Sequence, residues 1–175
     1  MHNIHSFFKS INFQSKSDCW ESTEIEKVIL NKKEEVFRVF LHAKNVLPIK
    51  EVDELRRSCQ NKINGEYPCN IVMNYEEIKE SDCLSYVKEI VKRLTDKKPS
   101  LISLLECEPT IDDDIIIFEV MSPAEEENIK KEEAGILKTL TEYGLKDYFI
   151  TTKLNEELRK NIREELDQVQ APIEY

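Results

Sequence analysis

Glycine, histidine and long apolar runs are all scarce in this chain of 175 residues. Its three glycines cannot build a glycine-rich phosphate loop, which needs several of them in close succession. No apolar run approaches the roughly 20 residues that a membrane-spanning helix needs. The N-terminus lacks the basic start and the long apolar core of a signal peptide. We therefore predict a cytoplasmic protein that does not contact membranes.

Cysteine is present but not in a pattern that binds zinc or forms a disulfide framework. The five residues are an odd number, and no two are spaced as C-x-x-C. We expect reduced thiols that are mostly buried and behave as small apolar side chains. They are Cys19, Cys59, Cys69, Cys83 and Cys107.

The charge of the chain is strongly negative, with a formal net value of −10 at pH 7. Nucleic acids attract proteins mainly through their phosphates, so an acidic chain is poorly suited to binding them as its main task. This excess of acidic residues favours a module that binds proteins. One basic cluster could touch a phosphate backbone or an acidic partner, or could be a solvated helix face with cations near its C-terminus. Its members are Lys88, Lys92, Arg93, Lys97 and Lys98.

The chain is organised around one stretch that contains a strand, a capped helix and a terminating glycine. The run Ile115–Phe118 is apolar and β-branched, as expected of a buried strand. Ser122 can accept a hydrogen bond from the first helical turn, and Glu125 can reach back to the cap. Gly144 can adopt the positive φ that ends a helix.

The same pattern occurs earlier in the chain. An apolar strand at 36–41 is followed by a helix that Pro48 opens and that Gly65, 79 positions before Gly144, ends. A short strand follows the helix in each copy, at 69–73 and at 148–152. This correspondence predicts an internal repeat.

Each copy also begins with a helix and a further strand. The first copy has an amphipathic helix at 4–11 and a strand at 24–30. In the second copy, Ser81 caps a helix at 82–95, and a strand follows at 101–107. The predicted order in each copy is therefore helix, strand, strand, helix, strand.

This order predicts an α+β fold with two small tandem domains, at 1–78 and 79–175. A C-terminal helix at about 154–169 caps the second domain. Each domain resembles a truncated KH fold, but neither contains the G-x-x-G loop with which that fold binds RNA. The fold can therefore be KH-like without its nucleic-acid site.

The sequence offers little with which to build a catalytic or metal site. His42 with a cysteine remains a possible nucleophile pair, although no motif flanks it. The acidic run Asp112–Asp114 could bind a divalent cation, but it lacks the alternating ligands and the glycine of a calcium loop. A solvated hairpin turn is the favoured interpretation. We predict no catalytic, cofactor-binding or metal-binding residues.

Several short runs in both halves carry a resemblance to a known family. Through them, residues 4–169 resemble the N-terminal region of the PolC-type replicative DNA polymerase III α subunit of low-GC Gram-positive bacteria and their relatives. The runs are Phe7-Phe8-Lys9-Ser10-Ile11, Ile25-Glu26-Lys27-Val28-Ile29-Leu30, Val46-Leu47-Pro48, Ile129-Lys130-Lys131 and Ile136-Leu137 with Gly144.

The resemblance implies two small domains, each distantly similar to domain V of the clamp-loader τ subunit. It implies that the polymerase and 3′–5′ exonuclease domains follow beyond residue 175, so no family catalytic or metal residue can be assigned here. The region would be a non-catalytic module that serves replisome assembly. Its partners would be other replisome proteins, for example clamp-loader, primase or helicase-loading components.

Three hypotheses follow. The first is a protein-interaction module, which should expose an apolar patch or groove. The second is a nucleic-acid-binding module that uses the basic cluster around Lys92. The third is a small enzyme that uses His42 and a cysteine.

Overall fold

The computed structural model describes residues 4–15, 18–60 and 67–155 of the chain. The chain divides into two compact units. The first comprises Met1–Cys83 with Leu140–Lys146, and the second comprises Leu84–Thr139 with Asp147–Tyr175. None of the helices in the described part combines the length and apolar composition that crossing a bilayer would require.

The predicted α+β class and the order of elements are confirmed in both halves of the chain. A 3₁₀ helix precedes the first strand in each half. In chain order the elements are α1 Ile4–Ser10, a 3₁₀ helix Asp18–Trp20, β1 Thr23–Asn31, β2 Val36–Asn45, α2 Ile49–Cys59 and β3 Cys69–Glu77. They continue with α3 Glu80–Lys97, a 3₁₀ helix Pro99–Glu106, β4 Pro109–Asp112, β5 Ile115–Val120, α4 Pro123–Glu142 and β6 Phe149–Leu154.

The first unit contains a three-stranded sheet in the order β1-β2-β3. β1 pairs antiparallel with β2, and β2 pairs parallel with β3. A parallel pair needs a crossover connection, which α2 supplies. Pro48 lies at the N-cap of α2, and Val52 and Leu55 are fully buried on one face of the helix. The helix ends at Cys59, before the predicted end at Gly65, which lies outside the described residues.

Aromatic packing joins the N-terminal helix to the loop that precedes the first sheet. The Phe8 ring meets the rings of Phe13 and Trp20 edge-on, at centroid distances of 4.8 and 5.4 Å. Such pairs stabilise a core beyond the area that they bury. Trp20 Nε1 also donates a hydrogen bond of 3.1 Å to Glu51 Oε2. The polar end of this buried indole is therefore satisfied.

The second unit repeats this topology with shorter strands. Its sheet has the order β4-β5-β6, again with one antiparallel and one parallel pair. β4 has four residues, whereas β1 has nine. Ile116, Phe118 and Val120 alternate along β5 and are buried, so one face of this sheet forms part of a core.

The predicted strand at 101–107 is wrong, because this segment forms the 3₁₀ helix Pro99–Glu106. Leu101, Leu104 and Cys107 are buried and lie three residues apart, which is the period of a 3₁₀ helix rather than of a strand. The first strand of the second sheet follows later, at Pro109–Asp112.

The two predicted helix starts have different outcomes. Ser81 is not a cap, since α3 begins at Glu80 and the Lys79 carbonyl accepts the first N–H groups. The cap of α4 is confirmed, because Ser122 Oγ accepts a bond of 3.2 Å from the Glu125 N–H. Glu125 Oε2 in turn accepts a bond of 2.8 Å from the N–H of Met121, one residue before the cap.

Gly144 ends α4, as predicted. Its φ is +93°, and the Leu145 N–H donates to the Leu140 carbonyl over 2.9 Å, which is the long bond of a Schellman motif. The predicted C-terminal helix begins at Leu154, which belongs to β6, and from residue 156 onward it lies outside the described residues.

Replacing Gly144 with alanine should destabilise the fold by more than about 1 kcal/mol, because an added side chain is strained at this φ. The new Cβ would also lie 2.6 Å from the Met73 carbonyl oxygen. Gly135→Ala is the matched control, since a Cβ there meets nothing within 4 Å and the residue lies inside α4. It should stabilise by about 0.5–1 kcal/mol. Urea unfolding of both variants tests this, and equal effects would contradict it.

Candidate partner-binding surfaces

Large apolar side chains are exposed in both units. Such groups matter when several lie together, because contiguous apolar surface marks binding sites in soluble proteins. In the first unit they occupy consecutive positions on β1. In the second they lie on the 3₁₀ helix and on the sheet. They are Val28, Ile29, Leu30, Ile102, Leu105, Ile115 and Phe149.

The exposed residues of β1 lie on an edge strand. Within the described residues β1 pairs only with β2, so its other side presents unpaired backbone groups. Val28, Ile29 and Leu30 are 50, 44 and 39 % exposed. Alternation along a strand would bury every second residue, yet all three are accessible here. This part of β1 therefore offers both unpaired backbone and apolar side chains.

The second unit exposes an apolar pair on the outward face of its sheet. Ile115 and Phe149 are partners in the β5–β6 register and are 38 and 60 % exposed. The next residues on the same strands, Ile116 and Ile150, are buried on the opposite face. Ile117 is partly exposed on the same face as Ile115. The outward face is therefore apolar at the end of the sheet where β5 and β6 begin.

Aspartates lie next to this apolar pair, at the same end of the sheet. Asp112 lies opposite Ile115 in the β4–β5 register, and Asp113 and Asp114 form the predicted hairpin turn. The Phe149 N–H donates a bond of 2.9 Å to the Asp114 carbonyl, so this turn is adjacent to the aromatic residue. No group of three or more possible metal ligands converges among the described residues.

The basic cluster lies on α3 and just after it, as predicted, but three of its five members are paired with acids of their own unit. Lys88 Nζ lies 3.6 Å from Glu108, Arg93 Nε lies 3.2 Å from Glu89, and Lys98 Nζ lies 2.9 Å from Glu132. Lys92 and Lys97 are exposed. The pairs leave less positive potential for a phosphate backbone than the sequence alone indicates.

His42 is paired with carboxylates. Its Nδ1 lies 3.2 Å from Glu26 and its Nε2 lies 3.8 Å from Glu76. Asn74 donates to the same Glu26 over 3.3 Å. These neighbours orient the imidazole but supply no nucleophile, so the structure does not bring His42 and a cysteine into contact within the described residues.

Two of the buried cysteines, Cys59 and Cys107, are held as neutral thiols, whereas the hydrogen bond with Cys59 lowers the pKa of Cys69. Burial, together with the nearby Glu125 carboxylate, raises the pKa of Cys107 to about 12. Its Sγ lies 3.6 Å from Glu125 Oε2. A hydrogen bond with Cys69, and burial, raise the pKa of Cys59 well above its ordinary value. Because the thiolate is the nucleophile, neither Cys107 nor Cys59 is prepared for covalent catalysis at neutral pH.

Sequence reasoning did not identify either exposed apolar surface. Ile115 lies in a run of three isoleucines, which predicts a buried strand and conceals that its first member faces outward. The aspartate run directly before Ile115 could have indicated that Ile115 is exposed. A polar turn ends the buried part of a strand, so the first residue after the turn can face solvent. In β1 the corresponding signal was the run Val28-Ile29-Leu30, which follows alternating charges. Three consecutive apolar residues cannot all face the same side of a strand.

Two protein-family models match the chain. DNA polymerase III polC-type N-terminus I matches residues 3–71, and DNA polymerase III polC-type N-terminus II matches residues 85–174. Comparison with curated proteins and with solved structures gave no match. The two family models thus cover most of both halves of the chain.

The raised pKa of Cys107 predicts a loss of stability in alkali. Between the ordinary thiol value of 9.0 and about 12, the unfolded chain loses this proton while the folded chain keeps it. The free energy of unfolding should therefore fall as the pH rises through this range. Cys107→Ala removes the titrating group, so its stability should fall less steeply. Urea titrations at pH 8, 9.5 and 10.5 measure both slopes, and parallel slopes would contradict the assignment.

Proposed function

Since the chain belongs to the N-terminal region of PolC-type DNA polymerase III, we propose that it is a non-catalytic protein-interaction region that acts in replisome assembly during DNA replication. The family implies a parent protein that is a DNA polymerase. Its polymerase and 3′–5′ exonuclease activities would reside beyond residue 175. The partners would be other replisome proteins, such as clamp-loader, primase or helicase-loading components.

The observation that carries this proposal is the apolar edge of β1. Fully burying a large aliphatic side chain is worth roughly 1.5–3 kcal/mol, and these three are already half buried, so completing the burial of each would add roughly half of that to the affinity of a partner. An edge strand can also pair with an added strand through its unpaired backbone groups. Val28, Ile29 and Leu30 combine both features.

Electrostatics supports a protein rather than a nucleic acid as the main ligand. The net charge is −10, and three cations of the basic cluster are paired with carboxylates. Phosphate binding depends on unpaired cations that can release counterions. We further propose two domains, 1–78 and 79–175, each KH-like and similar to domain V of the clamp-loader τ subunit. The strand order common to both sheets supports the similarity of the two domains to each other.

A pull-down from extract of the source cell, with and without nuclease, tests the function. We expect a replisome protein to remain bound after nuclease treatment. Ile29→Lys should weaken its retention by about tenfold or more, because a lysine on an edge strand opposes strand addition and removes apolar contact. Ile102→Lys is the matched control, since Ile102 is 65 % exposed on another element and should tolerate the change.

Either of two results would count against the proposal. If every retained protein is lost with the nucleic acid, the chain does not bind replisome proteins directly. If a partner is retained equally by wild type and Ile29→Lys, the β1 edge is not the surface that holds it. Circular dichroism of both variants shows whether the fold is unchanged.

A nucleic-acid-binding module is the second candidate, and the exposure of Lys92 and Lys97 favours it. It predicts an affinity for DNA that falls steeply with salt and that is lost in Lys92→Glu with Arg93→Glu. Under the leading proposal we expect weak binding of labelled single-stranded DNA that this double variant leaves unchanged. Lys130→Glu with Lys131→Glu is the control on α4. A loss specific to the first pair, with a salt slope reduced by about 2, would favour the second candidate.

A further inference from the structure

The outward face of the second sheet has an apolar pair at one end that is accessible from solvent. Phe149 is 60 % exposed, and its register partner Ile115 is 38 % exposed. Thr110 and Thr151, which lie opposite Ile117 in the flanking strands, are exposed as well. Adjacent strands are about 4.8 Å apart, so one large side chain of a ligand could contact both Ile115 and Phe149.

Four exposed aspartates lie next to this apolar pair. They are Asp112, Asp113, Asp114 and Asp147, which lie one to three residues from Ile115 or Phe149. The exposed Lys146 and Lys153 flank the segment 147–152, whereas the segment 109–119 contains no lysine or arginine, so the acidic side of the pair is the β4–β5 turn. In the described part of the chain no ion pair involves these four aspartates, whereas the glutamates of α4 pair with Lys98, Lys130 and Lys131.

We propose that this face binds a positively charged peptide segment of a partner protein, and that the segment places one large apolar side chain against Ile115 and Phe149. The inference rests on the proposed function and adds the chemistry of one partner at a surface separate from β1. Lysines or arginines on either side of the apolar residue would lie against Asp112–Asp114 and Asp147. Complementary charge of this kind selects the partner and speeds association.

The same observations argue against two other occupants. A nucleic acid would bring phosphates against four carboxylates, and this repulsion opposes binding. A metal ion would use the aspartates but not the exposed aromatic ring, and no convergent ligand group is present in the described residues. Only a ligand that is both basic and apolar uses the whole surface.

The test is a selection of random dodecapeptides displayed on phage against the 175-residue chain, with counter-selection against the Phe149→Asp variant. We expect enriched peptides with a net positive charge and at least one large apolar residue. An enriched peptide, labelled for fluorescence anisotropy, should bind Phe149→Asp at least about tenfold more weakly. It should bind Ile102→Asp, the exposed control in the same unit, as tightly as wild type.

A second variant distinguishes an effect of charge on peptide binding from an effect of a disturbed fold. Asp112→Asn with Asp114→Asn keeps the shape of the turn and should reduce binding severalfold at low salt, with the difference shrinking as salt rises. No enrichment over background, enrichment of neutral or acidic peptides, or equal binding by Phe149→Asp would each overturn the inference.

The outcome is independent of the test of the proposed function. The selected peptide should bind Ile29→Lys normally, because β1 is not part of this surface. If the pull-down partner is lost in Ile29→Lys and retained in Phe149→Asp, and no basic peptide is selected, the proposed function stands and this inference fails. If basic peptides are selected but no replisome protein is retained, the surface is correct and the proposed function fails.

Discussion

Parallel pairing of the last two strands of each sheet is the constraint on which the rest of this structure depends. Two parallel strands cannot be joined by a tight turn, so a helix must connect β2 to β3 and another must connect β5 to β6. One face of each small sheet is lined by buried side chains, such as Leu41 in the first sheet and Phe118 in the second. The remaining strand of each sheet, β1 or β4, joins the free side of the parallel pair through a hairpin.

Both candidate surfaces follow from this arrangement. A three-stranded sheet has two edges and two faces, and the most deeply buried side chains of each central strand lie on one face. The edge of the first sheet and the outward face of the second are what the topology leaves accessible. The chain has placed apolar residues at these positions, where lysine or glutamate would have been the usual choice for solubility. Exposure of this kind is costly for an isolated domain and useful for one that assembles with others.

Much of the fold could be predicted from the sequence where local signals agreed with packing. β5 begins at Ile115 and ends at Val120 as its apolar run indicates, and Ser122 and Gly144 mark the ends of α4 through their own chemistry. The segment at 101–107 could not be predicted in this way. Its apolar residues are compatible with a strand or with a 3₁₀ helix. Which of the two forms depends on which of these side chains are buried in the core.

The candidate site was less predictable than the fold. Exposure is a property of the assembled sheet, so the outward position of Phe149 depends on its pairing with Ile115, 34 residues earlier. The basic cluster was visible in the sequence, but its neutralising partners Glu108 and Glu132 come from other elements. Periodicity within one helix cannot show such pairing.

The long first hairpin of the chain has a consequence for experiment. Its four-residue turn at 32–35 is exposed, and the Asn31 side chain fixes it by accepting bonds from the N–H groups of Lys33 and Glu34. Exposed turn tips are where insertions are best tolerated. A fluorophore attached at this tip would lie next to the apolar edge without occupying it. Its emission could therefore report the arrival of a partner in real time.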